Sequence, residues 1–367
     1  MDTLELSKQL IKMHRYDGSE GKAEAADFIA NYMEKGGLHV EKITSNGIVN
    51  VVGSTKGRKK NSRKIILNGH YDTVPPSDQW TVNPFDPVVK NGELWGLGSC
   101  DMTANLAAMI NAAIEVSKQN LQGEVVLVAV GDEETGGANG TKATIEKGVI
   151  ADYCVIGEPT TMRLATGHKA RIHMELTAEG KGGHAAYPTE GKNAIHEMSR
   201  AIAKLADEYE HKTYDHETIF KQPTMNATLI SGGTAENVVP FQCKAILDFR
   251  IPPTFDGKKF VEEIEKKLPE QVTVSGKEIG LGWTSDEKSP FIKTAAIVLE
   301  GVTGKKITEY MHKLGASDAR FYSNACIPTI NVGAGQMKLH VPDEKIEWKQ
   351  VEQAEKFYSE IAKKMVG

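Results

Sequence analysis

The 367-residue chain is poor in cysteine and has no long apolar run. Its four cysteines, Cys100, Cys154, Cys243 and Cys326, stand far apart, which argues against a disulfide framework and against a zinc site built on paired cysteines. No segment approaches the roughly 20 consecutive apolar residues that a membrane-spanning helix needs. Residues 1–15 also lack the apolar core of a signal peptide. We therefore expect a cytoplasmic protein that has no part in the membrane.

The chain also lacks an excess of charge of one sign. It has 49 acidic and 44 basic residues, a formal net charge of -5, and the two signs are interspersed. Because no broad positive face results, a nucleic-acid partner is not expected. With 40% apolar and 25% charged residues, the composition is that of a globular protein. The length exceeds the size at which one core stops growing, which favours two domains.

Hydrophobic periodicity predicts an α/β domain at 1–167 and 281–367, interrupted by an inserted domain at 168–280. In the first domain helical patterns alternate with apolar strands, which is typical of a mostly parallel sheet covered on both faces. In the insertion, alternating residues from Ala170 predict strands with one solvated face and an α+β sandwich. The predicted helices are 3–14, 21–36, 103–119, 142–147, 193–209, 257–267, 293–302 and 349–364. The predicted strands are 48–53, 64–68, 124–130, 153–156, 170–177, 225–231 and 242–250.

Side chains that can bind metal follow several of these strands. His70 and Asp72 come directly after one strand and, two residues apart, share a face of an extended backbone. Asp101 follows the glycine-rich turn Gly96-Leu97-Gly98 and opens a long helix. Taken singly these motifs are weak, because a His-x-Asp is more often structural and an aspartate at a helix start is often a cap.

The strongest local signal is the acidic run Asp132-Glu133-Glu134 after an apolar strand. Two like charges about 4 Å apart cost on the order of 4 kcal/mol at an effective dielectric near 20, and a cation would remove that penalty. A solvated acidic loop is the alternative. Glu158 follows the next strand, and His340 lies in a later loop. Such nitrogen and oxygen ligands suit Zn²⁺, with Co²⁺ or Mn²⁺ also possible.

In their order along the chain, these motifs resemble those of a known family of zinc-dependent amidohydrolases and exopeptidases. The family includes acetylornithine deacetylase, succinyl-diaminopimelate desuccinylase, aminoacylase and glutamate carboxypeptidase. The resemblance extends from about Leu4 to Lys364. It implies a zinc-exopeptidase-like catalytic domain and an inserted domain that acts as a lid and as a homodimer interface.

The resemblance also implies a centre with two Zn²⁺ ions in each subunit. One ion would be bound by His70 and Glu158, the other by Glu134 and His340, and Asp101 would bridge them.

Further residues receive catalytic roles from the same resemblance. Asp72 would orient His70, and Glu133 would be the general base that takes a proton from a water between the metals. His184 would reach across the dimer and stabilise the oxyanion in the partner subunit's active site. A histidine in a surface loop is the alternative for His184.

The substrate is expected to be a small amide that carries a carboxylate. Asn237, Arg250 and Arg320 resemble contacts to such a carboxylate, for which the guanidinium fork is well suited. The basic segment 167–171 either anchors the substrate or forms the solvated start of a strand.

The chain departs from the family in two short segments near Asp101. Leu97 stands where the family has the arginine of Gly-Arg-Gly. Residues 103–105, Thr-Ala-Asn, stand where the family has Lys-Gly-Gly. Two positive charges are therefore missing, which puts the affinity for the second metal and the preference among anionic substrates in doubt.

Together these features predict a hydrolase of an N-acyl amino acid, like succinyl-diaminopimelate desuccinylase or acetylornithine deacetylase. A dipeptidase or carboxypeptidase of the same family is the alternative. A catalytically silent binding homologue is disfavoured because all the ligands and Glu133 are present. The acyl group, the amino acid and the preferred metal are set by a few pocket contacts that the sequence does not identify.

Overall fold

The structure, a computed structural model, describes residues 1–55, 62–210, 220–313 and 315–367. The described chain forms two compact units. The first unit consists of Met1–Thr166, Ser285–Met311 and Ser317–Gly367, and the second of Gly167–Thr284 and His312–Ala316.

The helices and strands are numbered in chain order. The helices are α1 (Thr3–Ile11), α2 (Gly21–Lys35), α3 (Ala104–Ser117), α4 (Thr141–Glu146), α5 (Ala194–Tyr209), α6 (Gly257–Lys267), α7 (Pro290–Thr303), α8 (Ala319–Asn324) and α9 (Trp348–Val366). The strands are β1 (His39–Ser45), β2 (Ile48–Ser54), β3 (Lys64–His70), β4 (Val88–Lys90), β5 (Glu93–Trp95), β6 (Glu124–Val130), β7 (Tyr153–Ile156), β8 (Ala165–His168), β9 (Ala170–Glu179), β10 (Thr224–Gly232), β11 (Gln242–Ile251), β12 (Val272–Ile279), β13 (Trp283–Thr284), β14 (Met311–Lys313), β15 (Thr329–Asn331) and β16 (Lys345–Glu347).

The first unit contains the predicted sheet with a parallel centre. Its strand order is β1-β2-β6-β3-β7-β15, in which β6, β3, β7 and β15 run parallel and β1 and β2 are antiparallel at one edge. Nearly every residue of β3 and β6 is buried, as expected of strands that helices cover on both faces. The predicted α/β class is confirmed.

Helix α3 is the central helix of this unit. Five of its 14 residues are alanine, and ten of its residues are buried. The small side chains allow α9 to pack closely against it. A short turn, Ser99–Thr103, precedes α3, and the Asp101–Met102 peptide bond within that turn is cis.

Several elements of the first unit were not predicted, including the short strand β15 and helix α8. Strand β1 forms a hairpin with β2 through Asn46 and Gly47, both with positive φ, although most of β1 is exposed and shows no apolar alternation. The sequence signal for it was the Asn-Gly pair, which favours a tight hairpin turn. The small antiparallel sheet β16-β5-β4 was also missed, because its three-residue strands are too short to show a period.

The second unit is the predicted α+β sandwich. Its antiparallel sheet has the order β10-β11-β9-β12. Alternate residues of β9, such as Ile172, Met174 and Leu176, are buried in a core that includes Met198 of α5 and Ile264 of α6. Strand β12 was not predicted, because most of its residues are exposed. In the part of the chain that the structure describes, no helix is long and apolar enough to cross a membrane.

Candidate metal centre

Three adjacent strands of the first unit deliver the candidate ligands to one edge of the sheet. Strand β3 lies between β6 and β7 and is parallel to both. His70 is the last residue of β3, Glu133 and Glu134 follow β6, and Glu158 follows β7. Because the carboxyl ends of parallel strands meet at one edge, side chains about 90 residues apart in sequence lie together.

The first group of candidate ligands consists of His70, Asp101 and Glu158. The imidazole Nε2 of His70 lies 3.2 Å from Asp101 Oδ1 and 3.6 Å from Glu158 Oε1. All three residues are buried. One nitrogen and two oxygen ligands therefore converge on a single point.

The second group shares Asp101 with the first. The other carboxylate oxygen of Asp101, Oδ2, lies 3.2 Å from His340 Nε2, and Glu134 Oε2 lies 3.1 Å from the same nitrogen. In each group the candidate ligand atoms lie within 4.8 Å of one another. The structure thus brings together the five residues expected to bind metal, in two groups joined by one carboxylate.

The electrostatics of the two groups suit a cation. Although burial opposes it, hydrogen bonds to His340 and His70 hold the pKa of Asp101 below its usual range. Contacts with Asp101 and Glu134 raise the pKa of His340 to about 10. Burial, together with Glu158, holds the pKa of Glu133 well above its usual value. Several carboxylates thus compete for few positive charges, and the nitrogen and oxygen donors fit divalent metal ions.

Asp72 links the two strand ends that carry these ligands. Its backbone oxygen lies 3.0 Å from His70 Nδ1, and its Oδ1 lies 3.6 Å from the same nitrogen. Its carboxylate accepts hydrogen bonds from the backbone N–H groups of Glu133, at 3.3 Å, and Glu134, at 3.1 Å. Asp72 therefore contacts both the histidine that it was expected to orient and the acidic loop after β6.

Glu344 holds the turn that carries Asp101. Its Oε1 accepts hydrogen bonds from the backbone N–H groups of Cys100, at 2.7 Å, and Asp101, at 2.9 Å. Its Oε2 accepts from Gly98 N–H at 2.9 Å. Burial and the charge of Asp101 raise the pKa of Glu344 to about 7, while the backbone hydrogen bonds act in the opposite direction. Sequence reasoning assigned no role to Glu344.

We expect Glu344→Gln to weaken metal binding by about 10–100-fold, the usual effect of losing a group that supports a ligand. An amide has one acceptor oxygen, so at least one of the three backbone donors would lose its acceptor, at a cost of about 1–3 kcal/mol. Competition with a chromophoric chelator measures the affinity, and denaturant unfolding measures the stability. Glu347→Gln, an exposed site three residues away, is the control. Unchanged affinity and stability in Glu344→Gln would contradict the assigned role.

Arg320 lies beside the acidic loop with most of its side chain buried. Its Nη2 donates to the backbone oxygen of Gly136 at 3.0 Å, and its Nη1 donates to that of Ser317 at 3.2 Å. Asp318, also buried, accepts a hydrogen bond from Thr141 Oγ1 at 2.7 Å. Arg320 was expected to contact the substrate. Two of its nitrogens instead donate hydrogen bonds to backbone oxygens of the protein.

His184 and Asn237 lie together in the second unit. Both are exposed, and the backbone oxygen of Asn237 accepts a hydrogen bond from Ala185 N–H at 2.9 Å. The imidazole Nδ1 of His184 accepts from Ala186 N–H at 3.1 Å, which leaves Nε2 for another partner.

Arg250 and Lys169 contribute positive charge to the second unit. The guanidinium of Arg250 binds Asp248 through Nε, at 2.7 Å, and Nη2, at 3.2 Å. Lys169 is fully buried and donates to Gln222 O at 2.7 Å. Burial, with the charge of Arg250, lowers the pKa of Lys169 to about 8. The alternative of a solvated strand start is wrong for Lys169.

The unusual residues around Asp101 belong to the core. Leu97 and Thr103 are buried. The side chain of Asn105 donates to Ala334 O at 3.0 Å and accepts from Ala334 N–H at 2.8 Å, so it joins α3 to the strand end after β15. Burial in an apolar environment suits Leu97, and the two hydrogen bonds to the Ala334 backbone account for Asn105.

Comparison with known proteins points to one family. The sequence model for peptidase family M20/M25/M40 matches residues 66–364. A protein of Cereibacter sphaeroides named succinyl-diaminopimelate desuccinylase is 30% identical over 382 aligned residues, which cover 99% of this chain and 98% of the relative.

Solved structures with the same fold come from the same family. An M20 family metallo-carboxypeptidase from Sulfolobus solfataricus superposes with a TM-score of 0.82 at 20% identity and covers 99% of both chains. A Bacillus subtilis protein described as a dinuclear metal-binding peptidase of the M20 family has a TM-score of 0.74 at 16% identity, covering 99% of this chain and 98% of that one. At these identities the likeness establishes the fold.

Proposed function

This chain belongs to peptidase family M20/M25/M40, and we propose that its substrate is an N-acyl amino acid, with N-succinyl amino acids as the leading class. The chain is a hydrolase of amide bonds. The proposed acyl group rests on the desuccinylase of Cereibacter sphaeroides, which this chain matches over its whole length.

One observation carries the proposed mechanism. Two groups of nitrogen and oxygen ligands share Asp101. Glu133 belongs to neither group and directly precedes the ligand Glu134 on the loop after β6. We propose that the two groups hold Zn²⁺, with Co²⁺ or Mn²⁺ as substitutes. When bound, such ions lower the pKa of water and polarise a carbonyl oxygen. Glu133 would take the proton from water and pass it to the leaving amine.

The second unit would supply contacts to the substrate. Asn237 and Arg250 are proposed to bind its carboxylate, with Asp248 holding the Arg250 guanidinium in a fixed orientation through two hydrogen bonds. A carboxylate contact by Arg320 would have to use the N–H groups that do not bind Gly136 and Ser317.

A substrate panel tests the proposed function. Release of free amine is measured from N-succinyl amino acids, N-acetyl amino acids and dipeptides, with added Zn²⁺ or Co²⁺ and with a chelator. We expect metal-dependent cleavage that is fastest for N-succinyl substrates. Faster cleavage of dipeptides would favour the peptidase alternative. A folded, metal-loaded protein that cleaves none of these substrates would favour the silent homologue.

We also propose that the enzyme is a homodimer joined through the second unit. Strand β10 is the edge of the antiparallel sheet, and Leu229 and Ile230 on it are 63% and 55% exposed. An exposed apolar edge strand tends to pair with another chain. Pairing of the β10 strands of two subunits would bury Leu229 and Ile230. It would also bring the second unit of one subunit against the second unit of its partner.

Mixing two inactive variants tests whether His184 acts across the dimer. His184→Ala and Glu133→Gln subunits, unfolded and refolded together, should recover about a quarter of wild-type activity, because half of the random dimers are mixed and each has one complete site. If His184 acts within its own subunit, each mixed dimer has no complete site and no activity returns. Each variant refolded alone is the control.

A cytoplasmic location is proposed as well. All four cysteines are free thiols, three of them buried and Cys326 exposed. Unpaired cysteines are typical of a reducing compartment.

A further inference from the structure

A buried arginine next to the metal centre has no role in the mechanism described so far. Arg15 lies between α1 and α2, and only 1% of its surface is exposed. Its Nη1 donates to the backbone oxygen of Tyr71 at 2.6 Å, and its own backbone oxygen accepts from Thr73 N–H at 3.1 Å. Arg15 therefore binds the residues on both sides of Asp72.

Asp72 connects the segment held by Arg15 to the candidate metal ligands. Its backbone oxygen contacts His70 Nδ1, and its carboxylate accepts hydrogen bonds from the backbone N–H groups of Glu133 and Glu134. A shift of the segment 71–73 would therefore move His70, Glu133 and Glu134 together. No other described contact of Tyr71 or Thr73 comes from a charged side chain.

Arg15 also supplies charge where two supporting carboxylates are buried. Burial lowers its pKa to about 10, an effect opposed by Asp72 and Glu344, so the guanidinium is cationic at neutral pH. Asp72 holds the acidic loop after β6, and Glu344 holds the turn at Asp101. The positive charge of Arg15 therefore interacts favourably with both carboxylates that hold ligand loops. Removing Arg15 would take this favourable interaction away from both carboxylates.

We propose that Arg15 is a positioning residue of the metal centre, which fixes Asp72 and through it His70, Glu133 and Glu134. The inference rests on the proposed metal centre. Positioning and simple electrostatics predict opposite changes in metal affinity when Arg15 is removed. A positive charge that acted only at a distance would repel metal ions, and its removal would tighten their binding. Loss of a positioning residue loosens it.

Metal affinity, measured by competition with a chromophoric chelator, tests the proposal without any substrate. Arg15→Met keeps the length of the side chain and removes its charge and donors, and Arg15→Lys keeps the charge. We expect Arg15→Met to bind Zn²⁺ and Co²⁺ about 10–100-fold more weakly than wild type, with Arg15→Lys in between. In the Co²⁺-loaded protein, the visible absorption spectrum should change in Arg15→Met because the ligand geometry changes.

Two controls separate positioning from general effects. Arg163→Met removes an arginine that is paired at the surface with Glu309, and Ile29→Ala opens a cavity in the buried face of α2. Both should keep wild-type metal affinity while folded. Unchanged or tighter binding in folded Arg15→Met would overturn the proposal, as would an equal loss in Ile29→Ala. If Arg15→Met does not fold, wild-type affinity in Arg15→Lys overturns it. Absence of metal binding by the wild-type chain would instead contradict the proposed function.

Discussion

Glu133→Gln should fold and bind metal like the wild-type protein but lose about 10²–10⁴-fold in kcat, the contribution expected of a general base. Glutamine has nearly the same shape as glutamate and keeps the backbone N–H that donates to Asp72. It has no carboxylate to accept a proton. Because Glu133 belongs to neither ligand group, both groups keep all their members.

Metal analysis and steady-state kinetics on one preparation check this expectation. The metal content of Glu133→Gln should equal that of wild type, and KM should change far less than kcat. Glu263→Gln, an exposed position on α6, controls for the substitution itself. Substantial turnover in Glu133→Gln would show that another group takes the proton, and loss of metal would show that Glu133 is a ligand.

Asp101→Asn should disable both halves of the centre at once. One carboxylate oxygen of Asp101 lies 3.2 Å from His70 Nε2 and the other lies 3.2 Å from His340 Nε2. An amide offers one ligand oxygen and no negative charge, so it cannot bridge two cations. Metal catalysis is worth several kcal/mol of barrier, and activity should therefore fall on the order of 10³-fold or more.

The metal content after gel filtration is the decisive measurement for this variant. We expect Asp101→Asn to lose metal from both groups, whereas a change at Glu158 or His340 would affect one group first. Asp207→Asn, on the exposed side of α5, is the matched control. Retention of a full metal complement by Asp101→Asn would rule out the shared-ligand arrangement.

The two predictions differ in what had to be known to make them. The strand-end motifs at His70, Glu133 and Glu158 could be found in the sequence, because each is local: an apolar strand followed within a few residues by a polar side chain. Parallel strand order then brings such ends together without further information. The hairpin at Asn46 and the strand β12 were missed, because exposed strands show little apolar alternation.

The groups that support the ligands could not be predicted in the same way. Arg15 is 56 residues from Tyr71, and Glu344 is 243 residues from Asp101. Neither lies in a periodic pattern with its partner, and a single arginine after a helix is far more often exposed than buried. Only the distances and the burial reveal that these charged groups hold the backbone of ligand loops.

The sequence by itself determined the fold class, the family resemblance and the types of residue available to bind metal, because apolar periodicity and ligand chemistry are written in short segments. The tertiary structure decided which of these residues meet. It joined two ligand groups through Asp101, bound Arg320 to Gly136, and buried Arg15 beside Asp72. Such contacts depend on how distant segments pack, and packing leaves no local signal in the chain.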